Sequence, residues 1–593
     1  MEHKGGQRRQ RLQPDTGLNR KRVIILNTTI IFAFIAIFLR LTDLMIFNHK
    51  LLAGKAKMQQ EKSEDIHVMR GNIYDRRGRE FAVNMELESL YCDARDVAID
   101  KERVQRLSSA LGMEAHAVEA KFQPEKRFTW VNRKLSTEKA LKVRAVLGMD
   151  RKVKDPGVKG FGFMTESKRF YPKGELASNI IGNVGMDNQP LEGVELFYDK
   201  YLRTYGGKVH FSRDASGKEL SSGVEMEAKG NDIQLTIDES LQFIAETELA
   251  KVMAKWRSVA ATAIIMDPFT GEILALANRP SYDLNNLGRA NRADVRNRPI
   301  TDIYEPGSTF KIVVGAAALE ENLVTVNNTF DCSRGAIEVG GKVIHDAHRH
   351  GLLTFKEVIQ KSSNVGSIMI GMKLGKENVY KYAKLFGYGE KTGIDLPGEV
   401  SGWIRKPEKW SATSIGAIPI GQEVAVTPLQ VLRAYSMVAN GGYLVTPHVV
   451  SEIRTHEGQP VYTFKDTGKK RVLSEKTATI FKDILKTVVE EGGTATGAAV
   501  DGNQVAGKTG TAQLVDRRTK RYSKDRFISS FVGFVPADNP KLAIIVVVYE
   551  PKGSIYGGVV AAPVFKSIAG QTLSYLNVPR DDVGEKNLLL VAK

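Results

Sequence analysis

One segment of this 593-residue sequence places a serine and a lysine three residues apart, directly before a run of helix formers. Ser308 and Lys311 lie in EPGSTFK, and the run IVVGAAALEE follows. This order predicts that Ser308 lies at a helix N-terminus with Lys311 one turn away on the same face. A neutral lysine amine can take the serine proton, and N–H groups at a helix start can face a developing oxyanion. The segment therefore indicates acyl transfer on Ser308. Alone, the pattern more often marks a capping serine with a surface lysine. Two further segments of the sequence therefore decide whether it is catalytic.

The first companion is the polar turn 362–364, which follows the amphipathic stretch LLTFKEVIQK. In it, Ser362 offers a hydroxyl that can relay a proton, and Asn364 offers an amide that can hold a substrate carbonyl. By itself this segment predicts only a polar turn.

The second companion is the short segment KTGTA, predicted to be a strand just before a hairpin at 527–549. Lys508, Thr509 and Thr511 offer an ammonium and two hydroxyls for a carboxylate, and Gly510 would let a substrate backbone approach. The three segments follow one another within one predicted domain.

Two further matches to these patterns are interpreted as structural. Ser136 and Lys139 repeat the serine-lysine spacing, but the serine is predicted to cap a charged helix and the lysine to be solvated. The segment 391–393 repeats Lys-Thr-Gly, but it continues into IDLPG, which is typical of a turn, and it lacks the following threonine.

Residues 23–39 carry no charge, and the apolar stretch continues to residue 47, which predicts a membrane-spanning anchor at 23–47. The flanking segment 1–22 is rich in lysine and arginine, which predicts a cytoplasmic N-terminus and an extracytoplasmic remainder, periplasmic in a cell with an outer membrane. A cleaved signal peptide is the alternative, but its apolar core would be shorter and would end in small residues rather than at Arg40.

Composition narrows the class of protein further. The formal net charge of +17 is spread along the chain and suits an anionic surface better than nucleic acid, which we do not expect as a partner. Cys92 and Cys332 lie far apart, and neither has a second cysteine or histidine at metal-ligand spacing, so neither a disulfide framework nor a metal site is expected.

The remaining patterns predict two folded regions after the anchor. Residues 48–230 are predicted to mix short strands, loops and charged helices, one of them at 118–147, and to form a scaffold. After residue 231, DIQLTID predicts a strand, 239–256 a helix, and the pairs TAIIMD with EILALAN and FISSFVGFV with LAIIVVVY two hairpins. The second region is therefore predicted to be an α/β or α+β domain with a central antiparallel sheet.

Serine-x-x-lysine, a serine-x-asparagine turn and lysine-threonine-glycine, in this order, are the signature of serine β-lactamases and penicillin-binding proteins. Further stretches resemble class B penicillin-binding proteins along nearly the whole chain after residue 20. They are RGNIYDR with Gly78, RFYP, GVE, GQ with VTPLQ, and ANGG.

This resemblance implies five parts: a basic cytoplasmic tail at 1–22, the anchor at 23–47, a non-catalytic pedestal domain of the dimerisation type at 48–230, a serine β-lactamase-like transpeptidase domain at 231–575, and a tail at 576–593. It implies a peptidoglycan D,D-transpeptidase in the bacterial cytoplasmic membrane. No step of that reaction needs a metal or an organic cofactor.

The resemblance also implies roles. Ser308 attacks the penultimate D-Ala carbonyl of a stem peptide and passes the acyl group to an amine on a neighbouring lipid-linked glycan strand, and β-lactams acylate the same serine. Lys311 is the general base, Ser362 the proton shuttle and Asn364 an amide ligand. Lys508 lowers the pKa of Lys311 and orients Ser362.

The terminal carboxylate is expected at Thr509 and Thr511, with Gly510 between them. The backbone N–H groups of Ser308 and Thr511 form the oxyanion hole.

The segment SSNVG at 362–366 and the threonine at 509 resemble the division-specific FtsI type, which implies septal wall synthesis and an FtsW-type glycan polymerase as partner. In that membrane contact, Asn27, Thr28, Thr29 and Arg40 are the candidate polar residues, with ordinary backbone bonding and snorkelling as the alternative. Elongation-type transpeptidase, D,D-carboxypeptidase, β-lactamase or β-lactam sensor, and catalytically silent scaffold remain as alternatives.

Overall fold

The computed structural model describes residues 16–50, 52, 61–65, 69–123, 125–126, 128–149, 158–203, 208–213, 219–220, 229–465, 468–516, 518–519 and 521–581. Most of the predicted basic tail and the end of the predicted C-terminal tail lie outside the described residues. The chain divides into two compact units, one formed by residues 1–68 and 205–228 and the other by residues 69–204 and 229–593.

The first unit contains the long apolar helix α1, Thr16–Thr42, followed by a π-helical turn at Asp43–Phe47. Its described residues also form an antiparallel sheet of Glu61–Asp65, Lys208–Arg213 and Glu219–Leu220. Residues Arg20–Phe47 form the one helical stretch in the described part that is long and apolar enough to cross a membrane, and none of its most apolar stretch is buried. This agrees with the predicted anchor.

Two of the polar side chains within this helix are satisfied inside it. Thr28 and Thr29 donate to the carbonyls of Ile24 and Ile25, at 2.8 and 2.9 Å. Arg40 pairs with Asp43 at 2.9 Å, close to the end of the helix. These three residues show the local bonding of the alternative interpretation, and a contact with a partner helix stays a prediction.

The second unit contains fourteen strands that matter here, numbered in chain order within the described residues. They are β1 Ile73–Tyr74, β2 Glu80–Cys92, β3 Thr129–Leu135, β4 Phe161–Phe170, β5 Asp232–Leu235, β6 Ala260–Met266, β7 Ile273–Arg279, β8 Ala336–Val339, β9 Lys342–His345, β10 Val450–Arg454, β11 Pro460–Thr463, β12 Ala506–Val515, β13 Tyr522–Val535 and β14 Leu542–Tyr549. Short pairs join Thr329–Asp331 to Leu352–Thr354, Trp403–Ile404 to Val424–Ala425 and Tyr443–Leu444 to Lys470–Arg471.

The longer helices of this unit are numbered in the same way. They are α2 Lys101–Leu111, α3 Ala115–Glu119, α4 Thr137–Val146, α5 Glu239–Trp256, α6 Lys311–Glu320, α7 Phe355–Gln360, α8 Asn364–Leu374, α9 Lys376–Leu385, α10 Pro428–Ala439, α11 Glu475–Thr487 and α12 Ala562–Tyr575. Shorter α-helical segments are Ser178–Ile181, Gly193–Phe197, Asp199–Leu202, Arg292–Val295, Arg298–Thr301, Ser414–Ala417 and Gly557–Val560. Single 3-10 turns are Leu287–Arg289, Gly307–Phe310, Pro407–Lys409, Ile418–Ile420 and Thr496–Ala498.

The five-stranded antiparallel sheet β7-β6-β14-β13-β12 is the centre of the predicted transpeptidase region. Every residue of β14 is buried. Its side chains alternate between two cores: Ile544, Val546 and Val548 pack in the core with α5 and α12, whereas Ile545 and Val547 pack in the core with α6 and α10. The period of two along a strand produces this division. Helices therefore cover both faces, and the predicted fold class is confirmed.

A second, seven-stranded sheet has the order β11-β10-β5-β1-β2-β3, with β4 also paired to β2. It is mixed, because β1 pairs parallel with β5 whereas the other pairs are antiparallel. Strands β10 and β11 come from the region after residue 231, so this sheet takes strands from both predicted domains. The boundary placed at 230/231 itself stays a prediction.

The predicted charged helix at 118–147 is wrong. The segment contains the end of α3, the strand β3 and the helix α4. Val131 and Leu135 are the buried residues of β3 and pack in one core with Leu90 of β2. Tertiary pairing with β2 therefore overrides the helical preference of the charged residues around it.

Candidate functional site

Ser308 lies in a 3-10 turn, Gly307–Phe310, that leads directly into α6. Gly307 has φ +55°, and a Cβ on it would lie 2.7 Å from the carbonyl oxygen of Thr511, so glycine permits this turn to approach β12. The Tyr435 hydroxyl donates to the Thr309 carbonyl at 3.0 Å and fixes the turn from α10. The prediction that Ser308 lies at a helix start is confirmed.

Lys311 is completely buried in the first turn of α6. Its Nζ donates to the Ser362 carbonyl at 2.6 Å, to Ser362 Oγ at 3.2 Å and to Asn364 Oδ1 at 2.9 Å. Three acceptors therefore hold the amine beside the turn that was predicted to accompany it. The Ser308 hydroxyl makes no hydrogen bond among the described residues, which leaves its oxygen free for attack.

The turn between α7 and α8 carries the second set of groups. Ser362 has φ +60°, an uncommon conformation for a residue with a side chain, which strong local contacts must maintain. Ser363 caps α8 by accepting from the Gly366 N–H at 3.0 Å. Ser362 and Asn364 are thereby turned toward Lys311.

Strand β12, the edge strand of the five-stranded sheet, carries the third set. Lys508 is 1% exposed, and its Nζ donates to Ser362 Oγ at 2.9 Å and to Thr509 Oγ1 at 3.3 Å. Thr509 also shares a hydrogen bond of 3.0 Å with Thr494. Ser362 Oγ is thus the point where both lysines meet.

Gly510 has a packing role in addition to the predicted one. A Cβ there would lie 2.4 Å from Ser530 Oγ and 3.0 Å from Thr309 Cγ2. The glycine therefore permits close packing of β12 against β13 and the Ser308 turn, and the approach of a substrate backbone to it stays a prediction.

Burial is the main cause of the lowered pKa of both lysines. Burial lowers the pKa of Lys311 to about 7, and the negative charge of Asp346 opposes this fall. For Lys508, burial and then repulsion from Lys311 hold the pKa well below its usual value. The repulsion between the two buried ammonium groups acts on both lysines, so a charged Lys508 also disfavours the charged form of Lys311, and the role assigned to Lys508 stays a prediction.

One cavity of about 340 Å³ brings the predicted groups together. Its lining includes Ser308, Ser362, Asn364, Thr509 and Thr511, while Lys311 and Lys508 lie buried behind it. A hydroxyl nucleophile, a proton relay, a buried amine of lowered pKa and carboxylate-binding hydroxyls therefore share one cleft. This combination suits acyl transfer.

Two acidic residues near this cavity were not predicted. Asp346 follows β9 and bonds to the Ser363–Val365 segment. Glu305 lines the cavity and accepts from the Tyr522 hydroxyl and the Glu423 N–H, at 3.0 Å each. Glu305 was visible three residues before Ser308, but no spacing rule connects Asp346 to the other motifs.

The two rejected matches behave as expected. Ser136 caps α4 by accepting from the Lys139 N–H at 3.3 Å, and Lys139 is exposed. Thr392 lies in a loop, where its N–H donates to Glu399 at 2.6 Å.

The two cysteines are free and buried. Among the described residues, no group of three or more histidine, cysteine or acidic side chains is placed to hold a metal ion.

The fold and the cleft define a serine transpeptidase of the penicillin-binding type. The family model for the penicillin-binding protein transpeptidase domain matches residues 261–570, and the one for the penicillin-binding protein dimerisation domain matches residues 65–235. The chain belongs to the class B penicillin-binding proteins, a family of peptidoglycan D,D-transpeptidases.

Several known proteins are similar to this chain. Stage V sporulation protein D of Bacillus subtilis is 36% identical over 96% of this chain and 88% of its own length. Peptidoglycan D,D-transpeptidase FtsI of Escherichia coli is 31% identical over 96% of this chain and 95% of its own length. A crystal structure of penicillin-binding protein 3 from Mycobacterium tuberculosis complexed with aztreonam has a TM-score of 0.68 at 26% identity, covering 88% of this chain and 98% of that one.

Proposed function

We propose that this chain cross-links peptidoglycan through an acyl intermediate on Ser308. The observation that carries the proposal is the convergence of Lys311 Nζ and Lys508 Nζ on Ser362 Oγ, at 3.2 and 2.9 Å, beside the cavity that Ser308 lines. A network of this kind moves a proton between buried groups without exposing a charge.

In the proposed acylation, Lys311 in its neutral form takes the Ser308 proton while Ser308 Oγ attacks the penultimate D-Ala carbonyl. The N–H groups of Ser308 and Thr511 face the oxyanion that forms. When the tetrahedral intermediate collapses, the proton passes through Ser362 to the departing amine of the terminal D-Ala. The ester on Ser308 remains.

In the second half of the reaction, an amine of a neighbouring strand attacks the ester carbonyl and loses its proton to the same network. The bond between the carbonyl carbon and Ser308 Oγ then breaks, and Ser308 Oγ takes a proton back from the network. Asn364 holds the amide of the donor peptide in both halves, whereas Thr509 and Thr511 hold the terminal carboxylate in the first half, until the terminal D-Ala leaves. A β-lactam acylates Ser308 by the same first half of the reaction, in which its ring opens.

Labelling with fluorescent penicillin, followed by mass spectrometry of the adduct, tests the nucleophile. We expect a stoichiometric, long-lived adduct on Ser308 and no labelling of S308A. The matched control is S136A, which changes the other serine of the same motif and should label as the wild type does. An adduct at another residue, or rapid turnover of penicillin, contradicts the proposal.

The acceptor is tested separately, because a carboxypeptidase would share the first step. With lipid-linked substrate and a glycan polymerase, the wild type should give cross-linked dimers that S308A does not give. Release of D-Ala without any dimer would instead identify a carboxypeptidase.

We further propose that the enzyme serves septal wall synthesis with its N-terminus in the cytoplasm and with an FtsW-type polymerase as partner. The similarity to FtsI supports this role, and the higher identity to a sporulation protein is the reason to test it. Depletion should give filaments that the wild type rescues and S308A does not. Loss of width or shape without filamentation would favour an elongation role.

A topology reporter and a pull-down test the rest of this proposal. A reporter that is active only in the cytoplasm should be active when it is fused before residue 16, because the N-terminus is proposed to lie there. Replacing α1 with an unrelated membrane helix should abolish co-purification of the polymerase, and retained co-purification would place the contact outside the anchor.

A further inference from the structure

Asp346 lies outside the three catalytic motifs but is built into a rigid position beside them. It follows the hairpin β8–β9, and its own N–H donates to the Gly335 carbonyl at 3.0 Å. The hairpin is anchored by Val339 and Ile344, which pack in a small core with Ile368 of α8. The carboxylate therefore has little freedom to move relative to α8.

The Asp346 carboxylate binds three donors of the turn that begins α8. Its Oδ2 accepts from Ser363 Oγ at 2.9 Å, and its Oδ1 accepts from the N–H of Asn364 and from the N–H of Val365, the latter at 3.1 Å. These N–H groups belong to the first turn of a helix, where an anionic partner is favourable. The residue thus fixes the backbone on both sides of Asn364.

The same hairpin also orients the Asn364 side chain. The Asn364 Nδ2 donates to the His345 carbonyl at 3.0 Å, which leaves its Oδ1 to accept from Lys311 Nζ at 2.9 Å. The neighbouring Ser362 has φ +60°, a conformation that persists only where surrounding contacts enforce it. Asp346 supplies the contacts next to that strained residue.

Asp346 also contributes charge to the site. Among the described residues, the ionisable groups that act on Lys311 are Lys508 from β12 and Asp346 from the loop after β9, and the buried Cys332 thiol faces Asp346. The Asp346 charge raises the pKa of Lys311 and so opposes the effect of burial.

We propose that Asp346 is a positioning residue of the transpeptidase reaction, which holds the Ser362–Asn364 turn in its active geometry and supplies the counter-charge to the Lys311 ammonium. This inference rests on the proposed roles of Lys311, Ser362 and Asn364. It adds a fourth segment, the β8–β9 hairpin with its following turn, to the three motifs.

The experiment measures the second-order rate constant for acylation of the full-length protein by fluorescent penicillin, from a pH of about 5 to about 9. In D346N we expect the maximal rate to fall about 10- to 100-fold, because the turn loses its anchor. The acid limb is the part of the profile of rate against pH in which the rate rises with pH. We expect this limb to move to lower pH by about half a unit or more, because removal of the negative charge makes Lys311 easier to deprotonate. A purely structural role would lower the rate without moving the limb.

Three variants separate position from charge. S363A removes one contact of the carboxylate and keeps the charge, so the rate should fall with an unmoved limb. D346E keeps the charge at a changed distance and should recover part of the rate. D331N makes the same chemical change at an exposed aspartate that accepts from the Ser333 N–H at 2.9 Å, and it should leave both rate and limb unchanged.

Several outcomes overturn the inference. One is that the acid limb of D346N coincides with that of the wild type. Another is that the maximal acylation rate of D346N lies within about twofold of the wild-type rate. If D346N does not fold, D346E decides, since acylation at the wild-type rate would show that position at 346 does not matter. A wild type that penicillin does not acylate at all refutes the proposed function instead.

Discussion

At the residue scale, the proposed mechanism makes acylation depend on the protonation state of Lys311. Burial lowers the pKa of Lys311 to about 7, so a large share of this amine is neutral at physiological pH, and only the neutral form can accept the serine proton. Ser362 Oγ accepts from both lysines, which makes it the residue on which the network depends.

The first prediction concerns pH. Below the pKa of Lys311 the base is protonated, so acylation by penicillin should rise about tenfold per pH unit up to about 7 and then level off. Stopped-flow measurement of adduct formation would show this limb. A rate independent of pH between about 5 and about 7 would mean that another group accepts the proton.

The second prediction concerns Ser362. In S362A both buried ammonium groups lose an acceptor and the relay is broken, so acylation should fall about 100- to 10,000-fold. The matched control is S436A, a buried serine of α10 whose Oγ donates to the Leu432 carbonyl at 3.0 Å. S436A should be acylated as the wild type is. Equal rates for S362A and the wild type would remove Ser362 from the mechanism.

At the scale of elements, the site depends on how closely the edge strand β12 approaches the Ser308 turn. Two glycines permit this contact: Gly307 faces the Thr511 carbonyl and Gly510 faces Thr309 and Ser530. Interiors are packed densely enough that one added methyl group must displace a neighbour.

The third prediction follows from this packing. G510A should separate β12 from the Ser308 turn, lower the free energy of unfolding by about 1–3 kcal/mol and slow acylation. G570A is the control, since a Cβ at Gly570 in α12 meets nothing within 4 Å. That variant should gain about 0.5–1 kcal/mol from helix propensity. Denaturant unfolding measures both, and an unchanged G510A would contradict the packing argument.

Sequence reasoning predicted the elements that carry chemistry because their signals are local. The helix after Ser308, the strand at Lys508 and the two hairpins follow from propensity and alternation within a few residues. Asp346 could not be found in this way, since its partners lie on α8 and the contact depends on where the β8–β9 hairpin folds back. The helix predicted at 118–147 is wrong for the same reason, because the pairing of β3 with β2 cannot be deduced from the composition of that segment.

At the scale of the whole molecule, the regions predicted as pedestal and transpeptidase are linked by a shared sheet and by side-chain hydrogen bonds. The seven-stranded sheet includes strands from both regions, and the Tyr198 hydroxyl donates to Asp395 at 2.7 Å. Asp395 also accepts from the N–H groups of Val449 and Val450, at 2.7 and 3.0 Å. Burial raises the pKa of Asp395, so its remaining donors matter for its charged form.

The fourth prediction tests whether this junction makes the two regions one cooperative body. Y198F removes a donor from a buried carboxylate and should lower the free energy of unfolding by about 1–3 kcal/mol. If the regions are coupled, probes in the pedestal and the penicillin-binding activity should be lost at the same, lower denaturant concentration. The control Y201F changes a neighbouring tyrosine whose hydroxyl makes no hydrogen bond among the described residues, and it should shift stability by less than about 0.5 kcal/mol. If loss of pedestal structure in Y198F precedes loss of penicillin binding, the two regions unfold independently, and the shared sheet does not couple them.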